Sequence, residues 1–140
     1  MRKRSRRKES AKAGRLTPEE QVELLIAPRV HLDLILARQR NTDYLRSVIG
    51  FFDIAIALAA LSPPTQQTAN YERALAVLET LAHGTAAAEA ELDLVRASFN
   101  QACLDICRED RRRLTKAMAS ARQQRANDEF SRPETARKAA

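Results

Sequence analysis

At 140 residues and 44% hydrophobic content the chain has the length of one domain and enough apolar material for an ordinary core. Three glycines, four phenylalanines, two tyrosines and no tryptophan exclude turn-rich β folds, glycine-cradled phosphate loops and aromatic platforms for stacking single-stranded nucleic acid. The net charge of +6 is unevenly spread: residues 1–15 carry eight Lys/Arg against Glu9 alone, residues 16–107 are acidic by six charges, and residues 108–140 are basic by five.

Met1 to Arg15 has no apolar periodicity and reads as a disordered basic arm. No apolar run follows it, so it does not read as a secretory signal, and it lacks the amphipathic face of a mitochondrial presequence. The first helix opens at Thr17, an N-cap, with Pro18 at the first helical position and Glu19 and Glu20 in the first turn. Pro28 has no amide proton and clashes with the preceding turn, which predicts a split into helices of about 18–26 and 28–40.

Asn41 or Thr42 caps the next helix, about 42–61. Val48 to Leu61 reads VIGFFDIAIALAAL, apolar or glycine at every position but Asp53. A membrane span needs about 20 such residues, and here Arg46, Asp53 and the Pro63-Pro64 pair interrupt. A helix apolar around most of its circumference is one surrounded by other helices. Asp53 lies on its thin polar strip, where a carboxylate can reach water or an arginine of a neighbouring helix. The alternative is a buried acid of raised pKa, poised for proton chemistry.

A third helix, about 69–82 with its cap near Thr68, presents Tyr71, Ala74, Leu75, Leu78 and Leu81 on one stripe and stops at Gly84. One long final helix follows from about residue 86 to Asn127, with a seam of Leu92, Val95, Phe99, Cys103, Ile106, Leu114, Ala117 and Ala121. The pattern predicts an all-α fold, an antiparallel bundle of four to five helices with a long C-terminal helix and the disordered arm. The expected division is arm 1–15, bundle 16–127 and flexible tail 128–140.

Few residues offer chemistry. Cys103 and Cys107 are neighbours on one helix face, and the only histidines, His31 and His83, fall on other elements. A closed zinc site would show short spacing in each ligand pair. The cysteines therefore read as small buried hydrophobes of a reducing, cytoplasmic compartment. Nucleophile elbows, HExxH and Walker or Rossmann glycine patterns are missing. The expectation is a non-enzymatic protein without cofactor or metal.

The basic segments carry the functional signal. Arg2, Lys3, Arg4, Arg6, Arg7 and Lys8 in the arm, with Arg108, Arg111, Arg112, Lys116 and Arg122 on one face of the final helix, point to a DNA or RNA phosphate backbone. Base readout is not indicated, because the only helix-turn-helix spacing leads into the acidic segment TAAAEAELD. A helical interaction module for another protein, and homodimerisation through the last helix, are the other expectations; a membrane partner is not.

The kinked first helix, the central RNTDYLRSVIGFFDIAIAL and the later YERALAVLETL together resemble, over about residues 18–82, small helical uncharacterised proteins of proteobacterial plasmids, integrative elements and prophages. That resemblance implies a genomic setting, and the excess of Arg over Lys with abundant Ala suggests a GC-rich bacterial genome. It implies no activity, cofactor or functional residue.

Overall fold

A computed structural model describes residues 14–39 and 41–131. They form five helices: α1 (Pro18–Leu36), α2 (Thr42–Ala59), α3 (Gln66–Ala82), α4 (Glu89–Arg108) and α5 (Arg111–Ser131). The only β pairing among the described residues is an isolated antiparallel bridge between Arg15 and Asp110. The fold is an all-α bundle.

The N-terminal caps follow from local chemistry. Thr17 and Glu20 form a reciprocal capping box: the Glu20 amide donates to Thr17 Oγ1 at 3.2 Å and the Thr17 amide donates to Glu20 Oε1 at 3.1 Å. Asn41 Oδ1 accepts from the Asp43 amide at 2.8 Å. Thr65, three residues earlier than the sequence pattern places the cap, opens α3 by accepting from the Thr68 amide. Gly84, at φ +86°, ends that segment in the left-handed conformation that favours glycine.

The first helix departs from the sequence expectation in two ways. Helix α1 runs continuously through Pro28. The proline removes one bond, to the Leu24 carbonyl, while Leu32 and Ile35, both buried, hold the following turns on the core. The helix stops at Leu36, before residue 40, and the chain turns through Arg38 at φ +69°.

The expected long final helix is two helices. Glu109 is extended (φ −80°, ψ 152°), and Asp110 Oδ2 accepts from the Arg112 amide at 3.2 Å, capping α5. Apart from half-buried Leu92, the predicted apolar seam is buried, divided between α4 (Val95, Phe99, Cys103, Ile106) and α5 (Leu114, Ala117, Ala121).

Helix α2 touches all four others. Its Val48, Phe51, Phe52, Ala55 and Leu58 are buried, and Phe51 and Phe52 meet Phe99 of α4 with ring centroids 4.6 and 6.3 Å apart. Fully burying one such ring contributes about 1.5–3 kcal/mol, so α2 organises the core as its composition indicates. Against it α5 is the lightest layer, with one leucine and two alanines buried among its described side chains.

Candidate nucleic-acid interface

Arg2, Lys3, Arg4, Arg6, Arg7 and Lys8 lie outside the described residues. Where their segment joins the fold is described. The Arg111 amide donates to Gly14 O at 2.8 Å, and Arg15 bridges Asp110. The chain therefore enters the bundle at the α4–α5 corner. Two basic stretches almost a hundred residues apart in sequence meet there.

The five bundle residues of the expected basic face do not share one face. Arg108 is the exposed last residue of α4, before the break. Arg112 and Lys116 lie exposed on the first turns of α5. Arg122 is exposed further along, beside the cleft that also holds Met118. Arg111 points inward: both terminal nitrogens donate to the two carboxylate oxygens of Glu20 on α1. That pair, with the Thr17 amide, holds the Glu20 carboxyl at about 2 against an ordinary 4.5. Arg111 thus ties α5 to α1 and is not available to a phosphate. The one-face expectation fails because the helix breaks at Glu109 and because Glu20 claims Arg111.

Arg113, which helical spacing sets apart from the other basic residues, belongs to the corner. Its Nε pairs with Glu109 at 2.9 Å and its Nη2 donates to Ser62 Oγ at 3.2 Å. The consecutive Arg111, Arg112 and Arg113 were the available signal, since three like charges in one turn cannot all face one way. Among the described residues Arg108, Arg112, Lys116 and Arg122 form no ion pair. Around the corner lie Arg15, Arg108, Arg111, Arg112, Arg113 and Lys116 together with Glu20, Glu23, Asp105, Glu109 and Asp110, so the corner is close to charge balance before the arm is counted.

A second constellation joins α2, α3 and α5. Arg125 donates to Asp53 through Nε (3.0 Å to Oδ2) and Nη2 (2.7 Å to Oδ1), and its Nη1 lies 3.6 Å from Glu79 Oε1. Asp53 is thus the ion-paired acid of the thin polar strip. Beside this pair runs an open, mainly apolar cleft of about 440 Å³ between α1, α2 and α5, walled in part by Leu24, Pro28, Gly50 and Ile54. On the opposite side of α2, the buried Tyr71 hydroxyl donates to Asp105, which also accepts from Gln101 at 3.0 Å. Burial and then Asp105 push the tyrosine pKa far upward. These groups satisfy one another, a structural arrangement.

The thiols of Cys103 and Cys107 are free and both are shifted upward by burial. Cys103 is buried, as expected, while Cys107 is only half-buried. His31 stacks on Tyr44 at 4.9 Å, and His83 caps the C-terminus of α3. Among the described residues no group of three or more His, Cys, Asp or Glu side chains is placed to hold a metal ion, and no helix is long and apolar enough to cross a membrane. Comparison with family models, with curated proteins and with solved structures found no match.

Proposed function

We propose that the protein is a non-enzymatic accessory or regulatory factor that binds the phosphate backbone of nucleic acid without base readout. The observation that carries the proposal is the Gly14–Arg111 backbone bond. It fixes the end of the arm, at Gly14 and Arg15, next to the start of α5, which supports a reading in which cations of the arm and of the bundle act on one phosphate chain. The ligand set is Arg2, Lys3, Arg4, Arg6, Arg7 and Lys8 with Arg108, Arg112 and Lys116; Arg122 lies further along α5, and Arg111 serves to hold the corner together. Arginine suits this task, because its planar fork pairs with phosphate oxygens two at a time.

The test is a salt series of binding to duplex DNA and to RNA by the full chain. Each phosphate neutralised on duplex DNA adds about −0.9 to the slope of log K against log salt. Replacing Arg108, Arg112 and Lys116 by Gln should shallow that slope by about 2–3 units, and replacing the six arm residues should shallow it further. A full chain that binds neither nucleic acid at low salt refutes the proposal. An unchanged slope in the corner variant removes the bundle from the interface and leaves the arm alone.

A further inference from the structure

The cleft of about 440 Å³ arises because α1 and α5 each pack along α2 but not along each other. Its floor is Gly50, Phe51 and Ile54 of α2. Gly50 keeps that floor low, since a Cβ there would meet nothing within 4 Å. Leu24 and Pro28 of α1 form one wall and Met118 of α5 stands in the other. The volume falls within the range of roughly 300–1,000 Å³ typical of small-molecule sites, which join apolar walls to a few polar groups.

Three charged side chains line the cleft: Asp53, Arg122 and Arg125. Asp53 and Arg125 neutralise each other through two bonds. Glu79 and Asp128, the other acids close to Arg125, wall a separate cleft on the far side of α5, between α2, α3 and α5. Arg122 is exposed and forms no ion pair among the described residues. One uncompensated positive charge therefore stands over an apolar floor.

We propose that this cleft binds an amphipathic monocarboxylate, an alkyl-chain acid whose carboxylate pairs with Arg122 and whose hydrocarbon covers Gly50, Phe51 and Ile54. The two features select the ligand together. An inorganic anion would leave the floor in water, and a neutral hydrocarbon would leave the arginine unanswered. A monoanion matches the single charge, whereas a phosphate ester brings about −1.5 to −2. The guanidinium fork takes a carboxylate with two parallel bonds, and the unbranched Met118 adapts to a flexible chain. From Ser47 to Ile54 the floor spans roughly 10 Å of helix rise, the extended length of an alkyl chain of about eight or nine carbons with bonds of about 1.5 Å. Arg122 lies apart from the corner, so this site stands independently of the nucleic-acid proposal.

Isothermal titration of the full chain with decanoate, below its micelle-forming concentration, tests the proposal. One decanoate should bind per chain. Decylammonium, with the charge reversed, and the Arg122→Gln variant with decanoate should each bind about tenfold weaker or more, the worth of a charge-assisted pair. Octanoate, two methylenes shorter, should bind about fivefold to tenfold weaker. Gly50→Leu fills the floor with a good helix former; it should keep the fold in urea unfolding and lose decanoate binding. Replacing the six basic arm residues by Gln should leave decanoate binding unchanged, which separates this site from adsorption on the arm. No binding at millimolar decanoate overturns the proposal. So does equal affinity for decanoate and decylammonium, or binding that survives Arg122→Gln and a folded Gly50→Leu, or binding lost with the arm charges.

Discussion

Helix α5 is held down by charge to an unusual degree, and the Asp53–Arg125 pair measures how much. Its buried apolar contribution is Leu114, Ala117 and Ala121, worth about 3–4 kcal/mol by side-chain transfer. The Asp53 and Arg125 side chains are 17% and 31% exposed and joined by two bonds. An exposed pair contributes about 0.2–1 kcal/mol, whereas breaking a fully buried one costs about 3–5 kcal/mol. This pair lies between, because Arg125 keeps access to water and to Glu79. A coupling of about 1–2 kcal/mol is expected from a double-mutant cycle of Asp53→Ala and Arg125→Ala in urea unfolding. Asp53→Asn retains one acceptor oxygen and should cost about 1 kcal/mol. Hydrogen exchange gives the local readout: amides from Leu114 to Ala126 should exchange about fivefold faster in Asp53→Asn while those of α2 keep their relative protection. A coupling below about 0.3 kcal/mol, with α5 exchange unchanged, would refute the reasoning and leave α5 resting on its apolar residues alone.

Glu20→Gln should flatten the acid limb of stability. The Glu20 carboxyl is held down to about 2, so its contribution is present in full above the ordinary 4.5 and is lost as pH falls through 2; thermal unfolding from pH 5 to 2 reads the difference. Tyr71→Phe removes the hydroxyl that donates to Asp105 and should cost about 1–2 kcal/mol at neutral pH. Because the folded tyrosine pKa is raised, stability is present below the ordinary value of 10 and declines as pH climbs above it; the variant should lose that alkaline decline. Gly50→Ala should stabilise by about 0.5–1 kcal/mol in urea unfolding, since a Cβ there meets nothing within 4 Å. A destabilised Gly50→Ala would mean that the cleft beside α2 is tighter than described.

What could be read from sequence was local or periodic. Thr17-Pro18, Asn41 and Gly84 announce their turns by their own hydrogen-bonding groups or backbone freedom, and Val48–Leu61 announces its burial by having almost no polar side. Three things were not legible. Continuity through Pro28 depends on anchors at Leu32 and Ile35 that outweigh one lost bond. The break at Glu109–Asp110 is hidden because every residue from Cys107 to Arg113 is acceptable inside a helix; only the Asp110 cap and the pairing with Gly14 and Arg15 end α4 there. Arg111 and Arg112 are adjacent and chemically identical, yet one is an internal tie and the other has no ion-pair partner among the described residues. The distinction is made by Glu20, ninety-one positions away.

That corner also violates a local rule. A helix N-terminus carries positive partial charge and prefers acids, at about 0.3–1 kcal/mol per group, yet α5 begins with three arginines. Glu20 offsets Arg111 and Glu109 offsets Arg113. Arg112 has no acid partner among the described residues, so the helix dipole alone predicts that it opposes folding of the free protein. Local conflicts of this kind are expected where function demands them. Arg112→Glu should therefore stabilise the free protein by about 0.3–1 kcal/mol and at the same time weaken nucleic-acid binding several-fold at 0.1 M salt, because it removes one phosphate contact and adds a repulsion. Opposite signs in the two assays are the signature of a charge kept for a polyanion. If Arg112→Glu stabilises the protein and leaves binding untouched, the arginine run is an uncompensated surface feature, and the arm must act without the bundle.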